Sequence, residues 1–332
     1  MTNIIKGIFF CFILLTCTVI ICNESQDSTY LYPIKENNKW GYINTNGKIL
    51  IQPTYDDAKY FSEEIAAVKI NNKWGFINKK NKLIINPSFE EVGNFSEGFA
   101  KIRINNLWGF IDKLGNYVIK PKYYGAGNFH NNLALVVETN EILLYRYINN
   151  KGKVVIKMPK NTTSCFDFSE NRALIEIENK CGFIDTNGNI IIKPQFNSAS
   201  SFSEGLALVE LNGKNGFIDY EGKIKIDYKL YDSRSFSEGL AAVEISGKWG
   251  FIDKSGKIAI KPQYRYASNF SNGLAAVKIK NLYGYINKQG KIVIPPRFIS
   301  AHQFIGSLAK AETEKIIGYI NYSGTFVWST QK

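Results

Sequence analysis

The sequence predicts an all-β protein made of about nine copies of a 34-residue unit, and three observations carry that expectation. The tripeptide Trp-Gly-aromatic and its variants place Gly at 41, 75, 109, 182, 216, 250, 284 and 318, spaced by 34 residues except across one irregular unit. A Phe at 61, 95, 129, 168, 202, 236, 270 and 304 is followed five residues later by Ala66, Ala100, Ala134, Ala173, Ala207, Ala241, Ala275 and Ala309. No segment keeps a helical period over three turns, whereas strand-like alternation returns in every unit.

Each element of the unit has a physical reason. In Lys248 to Asp253, Trp249 and Phe251 share one face and Gly250 and Ile252 the other, the alternation of a strand. Asp-Lys-Ser-Gly-Lys follows, where an acid or amide opens a tight turn and Gly256 supplies a positive φ without steric cost. Ile258 and Ile260 mark a second strand, which Pro262 is expected to end because proline lacks a ladder donor. An arm carrying a ring then leads through Phe-Ser-Glu-Gly into a third strand, Leu-Ala-Ala-Val-Glu-Ile.

Such a unit cannot bury its rings alone, so copies must stack. The Gly beside Trp40, Trp74, Trp108 and Trp249 (Gly41, Gly75, Gly109 and Gly250) admits a close backbone or ring, and the fixed Ala leaves room for a neighbour's ring. Nine three-stranded units follow, the ninth truncated. They are expected to wind as an open superhelical solenoid, with a closed propeller-like ring as the alternative. Propeller blades usually have four strands, and no exchange of strands between the two ends is readable. In the fourth unit Arg146 stands at the Gly position, 37 residues after Gly109 and 36 before Gly182, so the stretch from about 138 to 165 is irregular.

The ends set the domain organisation. Lys6 precedes an uncharged run from Gly7 to Cys22, too short for a span and suited to a signal-peptide core. Residues 1–22 are therefore assigned to a signal peptide or lipoprotein signal, with Cys17 and Cys22 as candidate lipidation sites, 23–34 to a linker and 35–332 to the array. The expected location is extracytoplasmic, with membrane anchoring through an N-terminal lipid as one version.

The repeated segments Asn-Lys-Trp-Gly-Tyr-Ile-Asn at 38 to 44, Asn-Lys-Trp-Gly-Phe-Ile-Asn at 72 to 78 and Gly-Lys-Trp-Gly-Phe-Ile-Asp at 247 to 253 resemble the WG-repeat (KWG-repeat) family of bacterial proteins. The resemblance spans about residues 35 to 328. Tyr145, Cys181, Asn215, Tyr283 and Ile317 depart from it at the Trp position and Arg146 at the Gly position. It implies an array of β-repeats, frequent in exported proteins, and supplies no catalytic residues.

Catalysis needs a constellation that occurs once, and here most polar residues recur with the unit. Ser62, Ser96, Ser169, Ser203, Ser237 and Ser271 share one turn, and Asp112, Asp185, Asp219 and Asp253 share another. The 2 His, His130 and His302, have no ligand spacing to any Cys, so neither metal nor cofactor is expected and the chain is not read as an enzyme. Cys165 and Cys181 occupy columns that read as inward and apolar, which favours buried thiols over a disulfide.

Charge and rings point to binding. The chain has 41 Lys and Arg against 29 Asp and Glu, a net +12. Lys48, Lys80, Lys113, Lys153, Lys223, Lys257 and Lys291 gather at the hairpin turn, with glutamates at the Phe-Ser-Glu turn. Stacked in register, these would make a basic stripe on one edge and an acidic one on another. The basic stripe suits a protein or an anionic envelope polymer, and export disfavours nucleic acid. A rival reading is glycan binding or processing through rings outside the strict repeat, Tyr124, Tyr231, Tyr266 and Tyr283. The favoured function is a non-catalytic binding or scaffolding module.

Overall fold

The computed structural model describes residues 30–139 and 141–331, and not the side chain of Tyr228. The candidate lipidation sites Cys17 and Cys22, and the signal segment, lie outside the described residues. Nine antiparallel sheets follow one another along the chain, spanning 32–55, 57–89, 91–123, 125–157, 162–196, 198–230, 232–264, 266–298 and 300–331. We number them blades 1 to 9. Blade 7 serves as the type, with an inner strand Asp232–Ser233, a second strand Leu240–Ile245, a third Lys248–Asp253 and an outer strand Ile258–Tyr264 in simple sequence order.

Two of the expectations about the unit are corrected. The sheet has four strands and not three, because the irregular arm contributes a short inner strand, in blade 7 only two residues long. Proline does not end the outer strand, since Pro262 sits inside Ile258–Tyr264. This strand has no neighbour on its far side, so the missing N–H breaks no ladder and discourages pairing with other chains. Blade boundaries also fall differently: the ninth blade is complete, and the first has three strands among the described residues, beginning at Tyr32.

Sequence chemistry explains the turns. Between second and third strands sits a two-residue turn with positive φ at both positions, Asn71 (48°) and Asn72 (64°) in blade 2 and Ser246 (53°) and Gly247 (74°) in blade 7. That geometry matches the twist of a hairpin. The corner between third and outer strands is held by Asp253, whose Oδ1 accepts from the N–H of Ser255 at 2.9 Å and of Lys257 at 3.1 Å.

The core lies between blades. Leu206, Phe217, Ile226 and Leu230 of blade 6 pack against Phe236, Ala241, Val243 and Ile252 of blade 7, and each seam repeats this plan. Phe251 meets Phe270 of the next blade at 4.8 Å between centroids, as Phe76 meets Phe95 at 5.1 Å. Phe and Ala of the eightfold column are direct cross-strand partners where the inner strand is long, as in Phe129 with Ala134. A larger residue at the Ala position would occupy the volume of that ring.

The solenoid expectation is overturned: the array closes into a ring. Tyr32, Ile34 and Ile43 of blade 1 form one buried cluster with Leu308 and Tyr319 of blade 9. The Tyr32 hydroxyl donates to the Ile305 carbonyl at 2.8 Å, and the Tyr319 hydroxyl donates to the Pro33 carbonyl at 2.9 Å. Among the described residues no strand crosses the seam, since each sheet is drawn from one continuous stretch. Closure rests on a substitution instead. Tyr32 stands at the column that holds Ala in the other blades, and its ring packs on Tyr319 at 5.4 Å, the place taken elsewhere by Phe.

Candidate functional site

Strands alternate in direction, so the Phe-Ser-Glu-Gly turns and the Asp-Lys-Ser-Gly-Lys turns lie on the same face of the ring. The expectation of separate acidic and basic edges is therefore corrected. Lys113 of blade 3 meets Glu63 of blade 2 at 3.0 Å, Lys254 meets Glu204 at 3.3 Å and Lys288 meets Glu238 at 3.1 Å.

The glutamates and serines of this face fasten neighbouring blades. The carboxylate of Glu170 accepts from the N–H of Glu204 at 2.7 Å and of Gly205 at 2.9 Å, and Glu97 caps Asn131 and Asn132 at 2.8 Å each. Glu238 stands at φ 55°, an uncommon conformation for a side-chain-bearing residue, which aims its carboxylate at Gly273 N–H at 3.0 Å. Each column Ser donates its hydroxyl to the Phe carbonyl of the next blade, from Ser62 to Phe95 at 2.7 Å through Ser271 to Phe304 at 2.7 Å. These hydroxyls act as staples.

Around this network the turn lysines are distributed unevenly. Lys113 is paired with Glu63, whereas Lys48, Lys80, Lys153, Lys223, Lys257 and Lys291 are exposed and make no ion pair among the described residues. The structure thus brings the predicted ridge to one face, with the unpaired cations on the hairpins of blades 1, 2, 4, 6, 7 and 8.

The aromatic candidates do not share one surface. Tyr124 and Tyr231 are exposed on the opposite face, at links between blades 3 and 4 and between blades 6 and 7, with Lys214 over the Tyr231 ring. Tyr266 and Tyr283 are brought together edge to face at 5.7 Å, half-buried in blade 8 and clustered with Trp249 and Arg234. Trp74 and Trp249 are buried and Trp40 and Trp108 half-buried within seams. An ideal Cβ on Gly250 would lie 2.6 Å from Ile260 O and 2.7 Å from Pro262 N, so the glycine is required by its own blade's outer strand, which bulges over it. A Cβ on Gly41, Gly75 or Gly109 would meet the equivalent Ile O and Pro N of its own blade.

One device escapes sequence reading. Lys59, Lys101 and Arg234 lie over Trp74, Trp108 and Trp249 at 5.3, 5.3 and 5.2 Å. Each also donates to a carbonyl of the next blade, Val92 at 2.7 Å, Ala126 at 2.7 Å and Ala267 at 2.9 Å. Lys59 and Arg234 share the column two residues before Phe, which holds no other cation of Lys or Arg type, and Lys101 comes from the second strand, so a repeat alignment does not group the three. His130 is half-buried and His302 exposed, in inner strands of blades 4 and 9. Among the described residues no group of three or more His, Cys, Asp or Glu could hold a metal. Cys165 and Cys181 are buried free thiols, and burial pushes the Cys165 thiol up to about 12.

The irregular stretch has irregular backbone at 138–139 and 141–144, a short outer strand Val154–Lys157 and a link into the long inner strand Thr162–Ser169. Arg146 fits at the Gly position because the outer strand there has no Ile-Lys-Pro detour. Its guanidinium pairs with Glu138 at 3.2 Å and donates to the Tyr145 carbonyl at 2.9 Å.

Fold and faces together define a closed nine-bladed β-propeller assembled from a tandem repeat. The model of the WG containing repeat matches eight consecutive segments from 40–74 to 283–315, and the chain belongs to that family. A solved structure described as a eukaryotic initiation factor is 9% identical, with a TM-score of 0.67 over 92% of this chain and 96% of that one. This likeness shows the ring fold alone. Weaker likenesses include dihydro-heme d1 dehydrogenase NirN, 11% identical over 92% of this chain and 74% of that one at a TM-score of 0.47. BamB from Moraxella catarrhalis is 11% identical over 89% and 92% at 0.40. No curated protein sequence matches the chain.

Proposed function

We propose that this propeller is an exported, non-catalytic binding module whose lysine-bearing face meets a protein or an anionic polymer of the cell envelope. The observation that supports it is the set of six exposed turn lysines without ion pairs, on the face where the glutamates are already committed to backbone N–H groups and to other lysines. Cations gathered on one face raise the local positive potential that attracts an anionic partner. The uncharged N-terminal run supports export, and anchoring through Cys17 or Cys22 would hold the ring at a membrane surface. The column serines have a structural role that removes the clearest repeated nucleophile from consideration.

The test is cosedimentation with envelope fractions at low and high salt, before and after protease treatment of the envelopes. The wild-type chain is compared with a variant carrying Lys48→Glu, Lys153→Glu, Lys223→Glu, Lys257→Glu and Lys291→Glu. Salt-sensitive binding abolished in the variant is expected. Undiminished binding by the variant would refute the lysine face as the contact.

A further inference from the structure

Each corner on the lysine face is followed by a position that the core does not require to be apolar. The outer strand opens on an apolar residue in all nine blades. Six of these residues, Leu83, Tyr117, Ile190, Ile224, Ile258 and Ile292, are between 37% and 49% exposed. Packing accounts for the residue two further on: Ile260 is buried and receives the corner glycine of the next blade, Gly290, whose ideal Cβ would lie 3.1 Å from it. It does not account for Ile258. The other water-facing positions late in the same strand, Lys261 and Gln263, are polar.

Scattered exposed aliphatics are ordinary, but a column kept at one level around a closed ring makes a band. In blades 2, 6, 7 and 8 the exposed residue directly follows a turn lysine, Lys82, Lys223, Lys257 or Lys291. Blade 3 departs from this in the apolar direction. Asn116 stands in place of the lysine, and Leu114, at the tip of the corner, is 78% exposed, more than any other large apolar side chain among the described residues. The same tip position holds Lys80, Ser255 and Gln289 in blades 2, 7 and 8.

We propose that the lysine face seats on an anionic lipid bilayer, with the ammonium groups among the headgroups and the apolar band and Leu114 at the boundary with the acyl chains. The proposal rests on the lysine-face reading given above and names its partner. A protein partner is met by a localised patch, whereas here lysine and aliphatic residues recur together around the ring at one height, which suits a flat surface with no sequence of its own. Lysine stems lie along apolar surface while their charged ends reach the headgroups, and clustered cations are drawn to anionic lipid. The described chain also begins on this face, where Tyr30 shares a cleft with Glu63, Glu64 and Lys79, so a lipid on Cys17 or Cys22 would draw the same face down. Blades 5 and 6, with Ile190 and Ile224, stand across the ring from that entry, and their part of the band is remote from the upstream segment.

Quenching of tryptophan fluorescence by brominated phosphatidylcholine reads contact with the acyl boundary position by position. In the full chain, Leu114→Trp and Ile224→Trp each add an indole to the band, and Tyr231→Trp adds one to the opposite face; the wild-type chain supplies the baseline of the native tryptophans. With vesicles that also contain phosphatidylglycerol, the added indoles at 114 and 224 are expected to be quenched and the one at 231 not, and the quenching should fall when phosphatidylglycerol is omitted. Adding Leu114→Ser to Ile224→Trp leaves every lysine in place and should raise the lipid concentration for half-maximal quenching at least about threefold. Absence of quenching at 114 and 224 would overturn the proposal, as would equal quenching at all three positions, indifference to phosphatidylglycerol, or an unchanged midpoint with Leu114→Ser. If the vesicle results are negative while lysine-dependent binding to envelopes remains, the lipid assignment alone fails; if both are negative, the lysine-face reading fails with it.

Discussion

Replacing Gly250 with alanine should destabilise the ring more than any other single-methyl addition at a turn or strand glycine of blade 7. The added Cβ would meet Ile260 O at 2.6 Å, Pro262 N at 2.7 Å and Pro262 Cα at 2.8 Å. All three are backbone atoms of a paired strand, so no side chain can rotate aside, and the outer strand must move by several tenths of an ångström. Overpacking of this kind costs about 1–3 kcal/mol, and the upper end applies where backbone must shift. Gly239→Ala is the control, since an added Cβ there meets nothing within 4 Å and only the positive φ of 86° resists it. Blades 2, 4 and 5 accept Glu64, Asn132 and Asn171 at the same column, so a cost near ~1 kcal/mol is expected. Urea unfolding followed by tryptophan fluorescence measures both. If Gly250→Ala proves neutral, or milder than Gly239→Ala, the account of the Trp-Gly pair is wrong.

Three further outcomes follow from the same contacts. Ser237→Ala removes the staple to Phe270 O and should cost about 1 kcal/mol in the same unfolding assay, a typical value for one part-buried hydrogen bond. The Ser255 hydroxyl, with the N–H groups of Ser255 and Lys257, holds the Asp253 carboxyl below its ordinary 3.8. Its contribution is present at neutral pH and lost as pH falls below about 4, and Asp253→Asn, which keeps the acceptor, should be neutral at pH 7 and flatten that part of the acid limb of a urea-midpoint profile. Peptide mapping after alkylation should find Cys165 and Cys181 unmodified in the native chain and modified in denaturant. Joined cysteines, resistant to alkylation until reduced, would contradict buried thiols.

Much of the blade was legible because its chemistry is local. Period 34, the paired strands, the Asp corner and the positive-φ glycine of the hairpin all follow from neighbouring residues, and the close approach at Gly250 was read correctly in kind. The error over Pro262 came from treating a lost donor as the end of a strand when that strand has an unpaired edge. The two-residue inner strand was hidden because its alternation is too short to register. Closure was hidden for a different reason: it depends on Tyr32 replacing Ala and on Tyr319, two single residues 287 apart in the sequence, and a search for strand exchange between the ends looks for the wrong device. The candidate site was legible as a set of turn lysines, but its partition was not. Which lysine is paired depends on Glu63, Glu204 and Glu238 reaching across seams.

Ring closure is the claim on which every interblade argument depends, and pulsed electron-electron spin resonance tests it with an internal ruler. Spin labels at positions 48 and 82 report two equivalent sites on adjacent blades, and labels at 48 and 325 report the same site on blades 1 and 9. A closed nine-bladed ring predicts closely similar distances for the two pairs. A distance for 48 and 325 several times that for 48 and 82 would show an open array and contradict the account.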